Sequence, residues 1–118
     1  MKINNSGQIA EFIARLYFRI KGYSILKQNY KSALKIPAGE VDFIALKKQT
    51  IIFVEVKKRQ SIEIARYAIV KKQQKRIINA AKLFIKQNPS YSNYNIRFDA
   101  VLIKFPFSIV HIKNAWQE

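Results

Sequence analysis

The chain has 118 residues, of which 22 are lysine or arginine and only 7 are aspartate or glutamate, giving a formal net charge of +15. This length suits one domain, so we expect residues 1–118 to fold as a single unit. Cysteine is absent, which excludes disulfides and thiolate metal sites and is typical of a cytoplasmic protein. The apolar runs are strand-sized and no signal-peptide pattern is present, so no membrane association is expected.

Hydrophobic periodicity and the positions of glycine and proline predict two helices and five strands. In chain order these are a helix over residues 8–21, strands over 23–30, 41–47 and 50–57, a helix over 69–87, and strands over 95–103 and 107–113. Residues 31–39 are predicted to form a loop, and residues 60–67 are ambiguous. The order α-β-β-β-α-β-β predicts an α/β (α+β) fold with a mixed central sheet flanked by helices.

Both helices are delimited by sequence signals. In the first helix an apolar stripe recurs at helical spacing, and Gly22 follows as a stop. The residues of this stripe are Ile9, Phe12, Ile13, Leu16 and Ile20. The second helix ends at Asn88-Pro89-Ser90, because the residue before a proline disfavours the helical conformation.

The hairpin of the second and third strands carries the most informative chemistry. Side chains alternate between the two faces of a strand, so Glu55 shares a face with Lys57, and Glu40 shares one with Asp42. If Lys48 and Gln49 form a two-residue turn, antiparallel pairing places Asp42 opposite Glu55 and Glu40 opposite Lys57. A three- or five-residue loop would shift this register and remove the pairing.

Two carboxylates that face each other across neighbouring strands, with Cβ atoms roughly 5 Å apart, destabilise the pair. A divalent cation between Asp42 and Glu55 reverses the sign of that interaction, and oxygen ligands of this kind suit Mg²⁺ or Mn²⁺. Lys57 lies about 7 Å along the strand from Glu55, where its ammonium could contact a phosphate or orient a water. The alternative is that these acids are solvated or pair with the abundant lysines.

Five blocks of the chain together form a recognisable pattern. They are residues 10–15 (AEFIAR), 22–26 (GYSIL), the hairpin with 39–45 (GEVDFIA) and 52–57 (IFVEVK), 97–101 (RFDAV) and 111–116 (HIKNAW). This pattern resembles the YraN-type family of predicted endonucleases, relatives of archaeal Holliday-junction resolvases in the PD-(D/E)XK, restriction-endonuclease-like superfamily. Two departures are Ala10, where the family often has glycine, and Gln73-Gln74, where a Lys-Gln pair is common.

The resemblance implies a restriction-endonuclease-like α-β-β-β-α-β core and hydrolysis of phosphodiesters by a metal-activated water. It implies Asp42 and Glu55 as metal ligands and Lys57 as the catalytic lysine. Glu11 would be a further acid of the same metal site. Its helical phase alone indicates a surface acid, although it shares a side with Ala14 and Phe18 and so could abut the sheet. Glu40 is a neighbour whose role the family pattern does not fix.

Gln74 lies on the apolar stripe of the second helix, four residues after Val70. A buried amide needs hydrogen-bond partners, so Gln74 is a candidate supporting residue that contacts a site carboxylate or nearby backbone. A core glutamine satisfied elsewhere is the alternative. His111, the only histidine, is expected to be structural, as is Asp99. Trp116 could stack on bases, but a core or edge position is expected.

The polar side of the second helix carries Lys71, Lys72, Lys75 and Arg76. A folded domain of charge +15 repels itself, and binding a polyanion relieves that repulsion. Each phosphate that is neutralised also releases a counterion, so nucleic acid, with DNA favoured, is the expected partner of these residues. A merely solvated basic face is the alternative.

These features lead to the hypothesis of an endonuclease-like protein that depends on Mg²⁺ or Mn²⁺ and acts on DNA, with branched DNA as a candidate substrate. The alternative is a nucleic-acid-binding module that keeps the nuclease fold without catalysis. A basic RNA-associated structural protein is a third hypothesis. A homodimer is compatible with the resemblance, although no residue pattern demonstrates its interface.

Overall fold

The computed structural model describes residues 6–31, 39–59, 69–105 and 108–118. Within these residues, two α-helices and five strands form in the predicted order. They are α1 Ser6–Ile20, β1 Ser24–Lys31, β2 Glu40–Lys47, β3 Thr50–Lys58, α2 Lys71–Gln87, β4 Asn95–Lys104 and β5 Ser108–Trp116. The ambiguous segment 60–67 and most of the predicted loop 31–39 lie outside the described residues.

The five strands form one mixed sheet in the order β1-β2-β3-β4-β5. β3 and β4 run parallel, and the other neighbouring pairs are antiparallel. A parallel pair needs a crossover connection, and α2 lies within the connection between β3 and β4. The predicted mixed sheet with flanking helices is confirmed.

Of the two α-helices described, one lies against each face of the sheet. On one face, Ala14 and Phe18 of α1 belong to a buried cluster with Phe43. On the other face, Ile77 and Phe84 of α2 belong to a cluster with residues such as Phe53 and Leu102 of β3 and β4. Because side chains alternate along a strand, the successive residues of β3 supply both clusters.

The face that α1 buries is not the apolar stripe on which its prediction rested. Ala10, Ala14 and Phe18 are buried, whereas Phe12, Leu16 and Ile20 are 56%, 45% and 75% exposed. Alanine side chains let a helix lie close to a sheet, so a face of small residues docks although the larger apolar side chains lie elsewhere. The predicted helix is confirmed, but the face that it buries differs from the predicted one.

The predicted register of the hairpin is confirmed from the turn as far as Phe43↔Val54. The pairs between β2 and β3 run from Lys47↔Thr50 to Phe43↔Val54, so Lys48 and Gln49 form the two-residue turn. Lys48 adopts a φ of 55°, a left-handed conformation that tight hairpin turns require and that usually selects glycine or asparagine. The two-residue turn therefore forms although neither Lys48 nor Gln49 is a residue that favours it.

Gly39, directly before β2, lies against α2. Its φ is +71°, and a Cβ added there would lie 2.5 Å from both the Cβ and the carbonyl oxygen of Arg76. Contact at that distance with backbone atoms forces a displacement of the helix or of the chain entering β2. Glycine at this position therefore lets the first turns of α2 approach the acidic hairpin.

We expect Gly39→Ala to destabilise the protein by more than about 2 kcal/mol, since left-handed strain of about 1–2 kcal/mol adds to the clash with Arg76. Gly22→Ala is the matched control, because Gly22 has a φ of +94° but an added Cβ would meet only the end of the Lys47 side chain at 3.6 Å. Urea unfolding of both variants tests the difference. Equal destabilisation would contradict the close packing of Gly39 against α2.

Candidate active site

Asp42 lies where the regular pairing of β2 with β3 ends. Its Oδ2 accepts a hydrogen bond of 2.8 Å from the backbone N–H of Val56. The carboxylate therefore bonds to a backbone group of β3 just beyond the last regular pair, Phe43↔Val54. This bond holds the side chain of Asp42 against the C-terminal half of β3.

Glu55 is buried on β3, with 5% of its surface exposed. Its carboxyl group hydrogen-bonds to that of Asp42, and burial, together with the charge of Asp42, raises the pKa of Glu55 to about 8. Burial also raises the pKa of Asp42, although the hydrogen bonds from Val56 and Glu55 oppose that shift. At neutral pH the pair therefore holds a proton on Glu55, whose O–H donates to Asp42.

Lys57 follows Glu55 on the same face of β3. Its Nζ lies 3.6 Å from Oε2 of Glu55, and its side chain is 23% exposed. The ammonium thus stands between the buried carboxyl pair and solvent. The three residues predicted as a reaction centre, Asp42, Glu55 and Lys57, are brought together.

Gln73, in the first turn of α2, is a supporting residue that the sequence interpretation missed. Its Nε2 donates a hydrogen bond to Oε2 of Glu55. The candidate named from the sequence, Gln74, instead donates to the backbone carbonyl of Ile69 at 2.9 Å. The predicted contact of Gln74 with a site carboxylate was therefore wrong. The predicted alternative, a contact with nearby backbone, is the one observed. The sequence feature that could have indicated Gln73 is the Gln73-Gln74 pair, which replaces the Lys-Gln pair common in the family.

Glu11 and Glu40 lie near this pair without joining it. Burial, followed by the charge of Asp42, raises the pKa of Glu11, which places the two acids within electrostatic range. Within the described ranges, however, no three His, Asp or Glu side chains are grouped closely enough to hold a metal ion. Glu11 therefore does not complete a three-carboxylate group, and its role as a ligand stays a prediction.

The predicted position of Glu40 opposite Lys57 was wrong. Glu40 is exposed and pairs across the sheet with Lys31 of β1, with a distance of 3.6 Å between Nζ and Oε2. The reason is that the regular pairing of β2 with β3 ends at Phe43↔Val54. Glu40 contributes only its charge, which helps raise the pKa of Glu11 and of Asp42.

The first two turns of α2 are strongly basic. Lys71, Lys72, Lys75 and Arg76 are all exposed there. The first turn contains no acidic residue, and Val70 provides no side-chain hydrogen bond to cap it. A helix N-terminus carries partial positive charge, so lysines placed there are unfavourable until an anion binds.

Asp99 is the centre of a second polar cluster, on the α1 face of the sheet. It accepts two hydrogen bonds of 2.9 Å from Arg97, one of 2.7 Å shared with His111, and one of 3.0 Å from the backbone N–H of Asn114. Burial alone would raise the pKa of Asp99, but these hydrogen bonds outweigh it and lower the pKa. Asn114 has a φ of 54° at a shift of register between β4 and β5, so this cluster stabilises the edge strand.

The mixed sheet, its crossover helix and the buried acid pair define a restriction-endonuclease-like fold. The chain is similar to the structure of Hjc, a Holliday junction resolvase from Archaeoglobus fulgidus, with a TM-score of 0.54 and 11% sequence identity. The similarity covers 87% of this chain and 72% of the resolvase. At this identity the comparison establishes the shared fold.

The chain belongs to the family described as uncharacterised protein family UPF0102, whose pattern matches residues 10–103. A UPF0102 protein of Nitrobacter winogradskyi is 42% identical over 99 residues, which cover 84% of this chain and 80% of the relative. One from Ehrlichia chaffeensis is 40% identical over 115 residues, covering 98% and 89%. The resemblance to the YraN-type family is confirmed. None of the helices described is long and apolar enough to cross a membrane.

We expect the metal-free protein to lose stability as the pH rises. Between the ordinary pKa of 4.5 and the folded value of about 8, Glu55 holds a proton in the folded state and not in the unfolded state. Stability should therefore fall across that window in EDTA. Glu55→Gln should remove this component. At pH 8–9 its free energy of unfolding, measured with urea, should exceed that of the wild type by at least about 1.4 kcal/mol, the equivalent of one pKa unit.

The same variant compared at pH 4–5 is the control, because both side chains are then neutral and the difference should shrink. Parallel stability profiles for the two proteins between pH 5 and 9 would contradict the burial of an ionisable pair at this position.

Proposed function

We propose that this protein is an endonuclease-like enzyme that depends on Mg²⁺ or Mn²⁺ and hydrolyses phosphodiester bonds in DNA, with branched DNA as the candidate substrate. The observation that carries the proposal is the contact between the buried carboxyl groups of Asp42 and Glu55 beside Lys57. The fold shared with a Holliday junction resolvase and the net charge of +15 support it.

The donor set fits a hard divalent cation. Asp42 and Glu55 provide only oxygen atoms, which Mg²⁺ and Mn²⁺ prefer, and Mg²⁺ typically binds one or two carboxylates together with water and phosphate oxygens. A cation between the two would replace the shared proton and remove the repulsion between them. Val56 N–H and Gln73 already hold the two carboxyl groups in place. When bound, the cation would supply Lewis-acid activation of water and neutralise charge on the phosphate.

Lys57 completes the reaction centre from the solvent side. Its Nζ, 3.6 Å from Glu55, is placed to donate hydrogen bonds to a non-bridging phosphate oxygen and to orient the attacking water. Such donors are most effective where negative charge develops during the reaction. Gln73 acts through Glu55 and is a positioning residue.

The basic start of α2 supplies the binding surface next to this centre. Because Gln73 contacts Glu55, the neighbouring Lys72 and Lys75 lie at the same edge of the site. Their charges and the helix N-terminus both favour a phosphate group. The DNA backbone would thus be held by α2 while one phosphate lies at Lys57.

We expect wild-type protein to nick plasmid or four-way-junction DNA in Mg²⁺ or Mn²⁺ and to lose this activity in EDTA. Glu55→Ala and Lys57→Ala should each lower the rate by about 100-fold or more, the loss typical of removing one group that stabilises the transition state. Lys58→Ala is the matched control, because it removes the same charge from the adjacent position of β3, on the opposite face.

Calorimetry with Mn²⁺ separates binding from chemistry in this experiment. Asp42→Asn should weaken Mn²⁺ binding at least tenfold, whereas Glu40→Gln, which changes an exposed acid of the same strand, should leave it nearly unchanged. Undiminished cutting by Glu55→Ala, or full Mn²⁺ affinity in Asp42→Asn, would overturn the assigned site.

A non-catalytic nucleic-acid-binding module is the second candidate. One observation favours it: the carboxyl groups of Asp42 and Glu55 hydrogen-bond to each other, and burial raises the pKa of Glu55 to about 8, so a cation would have to displace a proton to bind between them. Salt-sensitive DNA binding without cutting in any metal would establish this module, and dominant affinity for structured RNA would indicate an RNA-associated protein.

We expect the double variant Lys72→Glu, Lys75→Glu to weaken DNA binding and to flatten the dependence of log K on log salt by roughly one unit per lost phosphate contact. Lys86→Glu, in the last turn of the same helix, is the control and should change the slope less. Binding isotherms between 50 and 200 mM salt measure both. An unaltered slope in the double variant would place the DNA on another surface.

A further inference from the structure

A cavity of about 440 Å³ lies on the α2 face of the sheet, over β4 and β5. Ala100 and Leu102 of β4, Val110 and Ile112 of β5, Gln74 of α2 and Trp116 line it, among others. The lining is aliphatic except for the glutamine amide and the indole. Cavities of this size, mostly apolar with a few polar groups, are typical of small-ligand sites.

The register of β3 with β4 places this cavity beside the candidate reaction centre. Glu55 pairs with Ala100, and Lys57 pairs with Leu102. Neighbouring strands are about 4.8 Å apart, and paired residues project to the same face. The floor of the cavity therefore begins one strand away from the carboxyl pair and its lysine.

Two polar groups of the lining have unused hydrogen-bonding capacity. Gln74 donates through Nε2 to the carbonyl of Ile69, which leaves its Oε1 as an acceptor. The Nε1–H of Trp116 is buried and has no hydrogen-bond partner in the described part of the chain. An unsatisfied buried donor is unfavourable, and a ligand in the cavity removes that cost when the indole turns its N–H toward the ligand's acceptor.

We propose that this cavity binds one unstacked nucleobase of the nucleic acid whose phosphate lies at Lys57. The inference rests on the proposed function and specifies its substrate: DNA with an unpaired base at a junction, bulge or single-stranded end. A base has flat apolar faces that fit the aliphatic lining, and its edge offers both the acceptor and the donor that Trp116 and Gln74 lack.

Charge favours a nucleotide over a second copy of the chain in this position. The basic turns of α2, with Lys71 and Lys75 exposed, adjoin Gln74 at the rim of the cavity, and a second copy would bring another +15 charges to it. A phosphate backbone brings the complementary charge. A stable protein interface would also need about 800 Å² from each partner, whereas a concave cavity suits a single planar group.

The experiment compares two DNA duplexes that differ only in one base. Both carry a one-nucleotide bulge, and in one of them the bulged nucleotide is abasic, so the number of phosphates is unchanged. Affinities are measured in EDTA, without cutting, by the anisotropy of a dye on the DNA. The emission of Trp116, the only tryptophan, is recorded in parallel.

We expect the protein to bind the duplex with the intact bulge about tenfold more tightly than the abasic duplex, the gain typical of one base stacked on protein. Binding of the intact bulge should also change the emission of Trp116. Ala115→Leu, which fills the cavity from β5, should reduce this preference to less than about twofold. Ile109→Leu, on the same strand outside the cavity lining, should retain it. Trp116→Phe keeps an aromatic ring, removes the donor and should reduce the preference in part.

Equal affinity for the two duplexes, or no affinity for either, would overturn the base cavity. If the two affinities are equal but the protein nicks DNA in a metal-dependent way, the proposed hydrolysis is supported and base binding in the cavity is not. A preference for the intact bulge without nicking in any metal would support base binding in the cavity and would identify the protein as a non-catalytic binding module. Concentration-dependent self-association that Ala115→Leu abolishes would assign the cavity to a second copy of the chain and overturn the proposal.

Discussion

The contact between the carboxyl groups of Asp42 and Glu55 is the constraint on which the candidate site depends. Burial raises the pKa of both groups, and the charge of Asp42 raises that of Glu55 further, whereas the hydrogen bond from Glu55 favours the ionised form of Asp42. Such a pair is costly when both groups are ionised, and packing alone does not demand it. It is held in place by the Val56 N–H and by Gln73, so the backbone of β3 and the first turn of α2 together define its geometry.

Asp99 shows how the same sheet satisfies a buried acid that has a structural role. Arg97, His111 and the N–H of Asn114 surround it, and its pKa is lowered despite complete burial. The chain has 22 lysines and arginines, yet the ion pair of Glu55 with Lys57 spans 3.6 Å. The contrast is one reason for the proposal that a cation from solution binds the carboxyl pair.

The sequence was sufficient for the order of elements and for the register of the hairpin as far as Phe43↔Val54, because the ends of the two apolar runs leave Lys48 and Gln49 as the turn. It was insufficient for the phase of the helices. The buried face of α1 is set by Ala10 and Ala14, whose small size permits close docking. Whether Gln73 or Gln74 reaches Glu55 depends on how α2 is rotated over β3, which apolar spacing does not fix to one residue.

The location of the candidate site follows from the single parallel pair in the sheet. Because β3 and β4 are parallel, the chain must leave the C-terminal end of β3, cross over and return, and α2 begins near that end, where Gln73 meets Glu55. The acids, the lysine and the basic N-terminal turns of α2 therefore share one edge of the sheet. The same pairing places Ala100 beside Glu55, so a phosphate at Lys57 and a base over β4 would belong to one bound nucleotide.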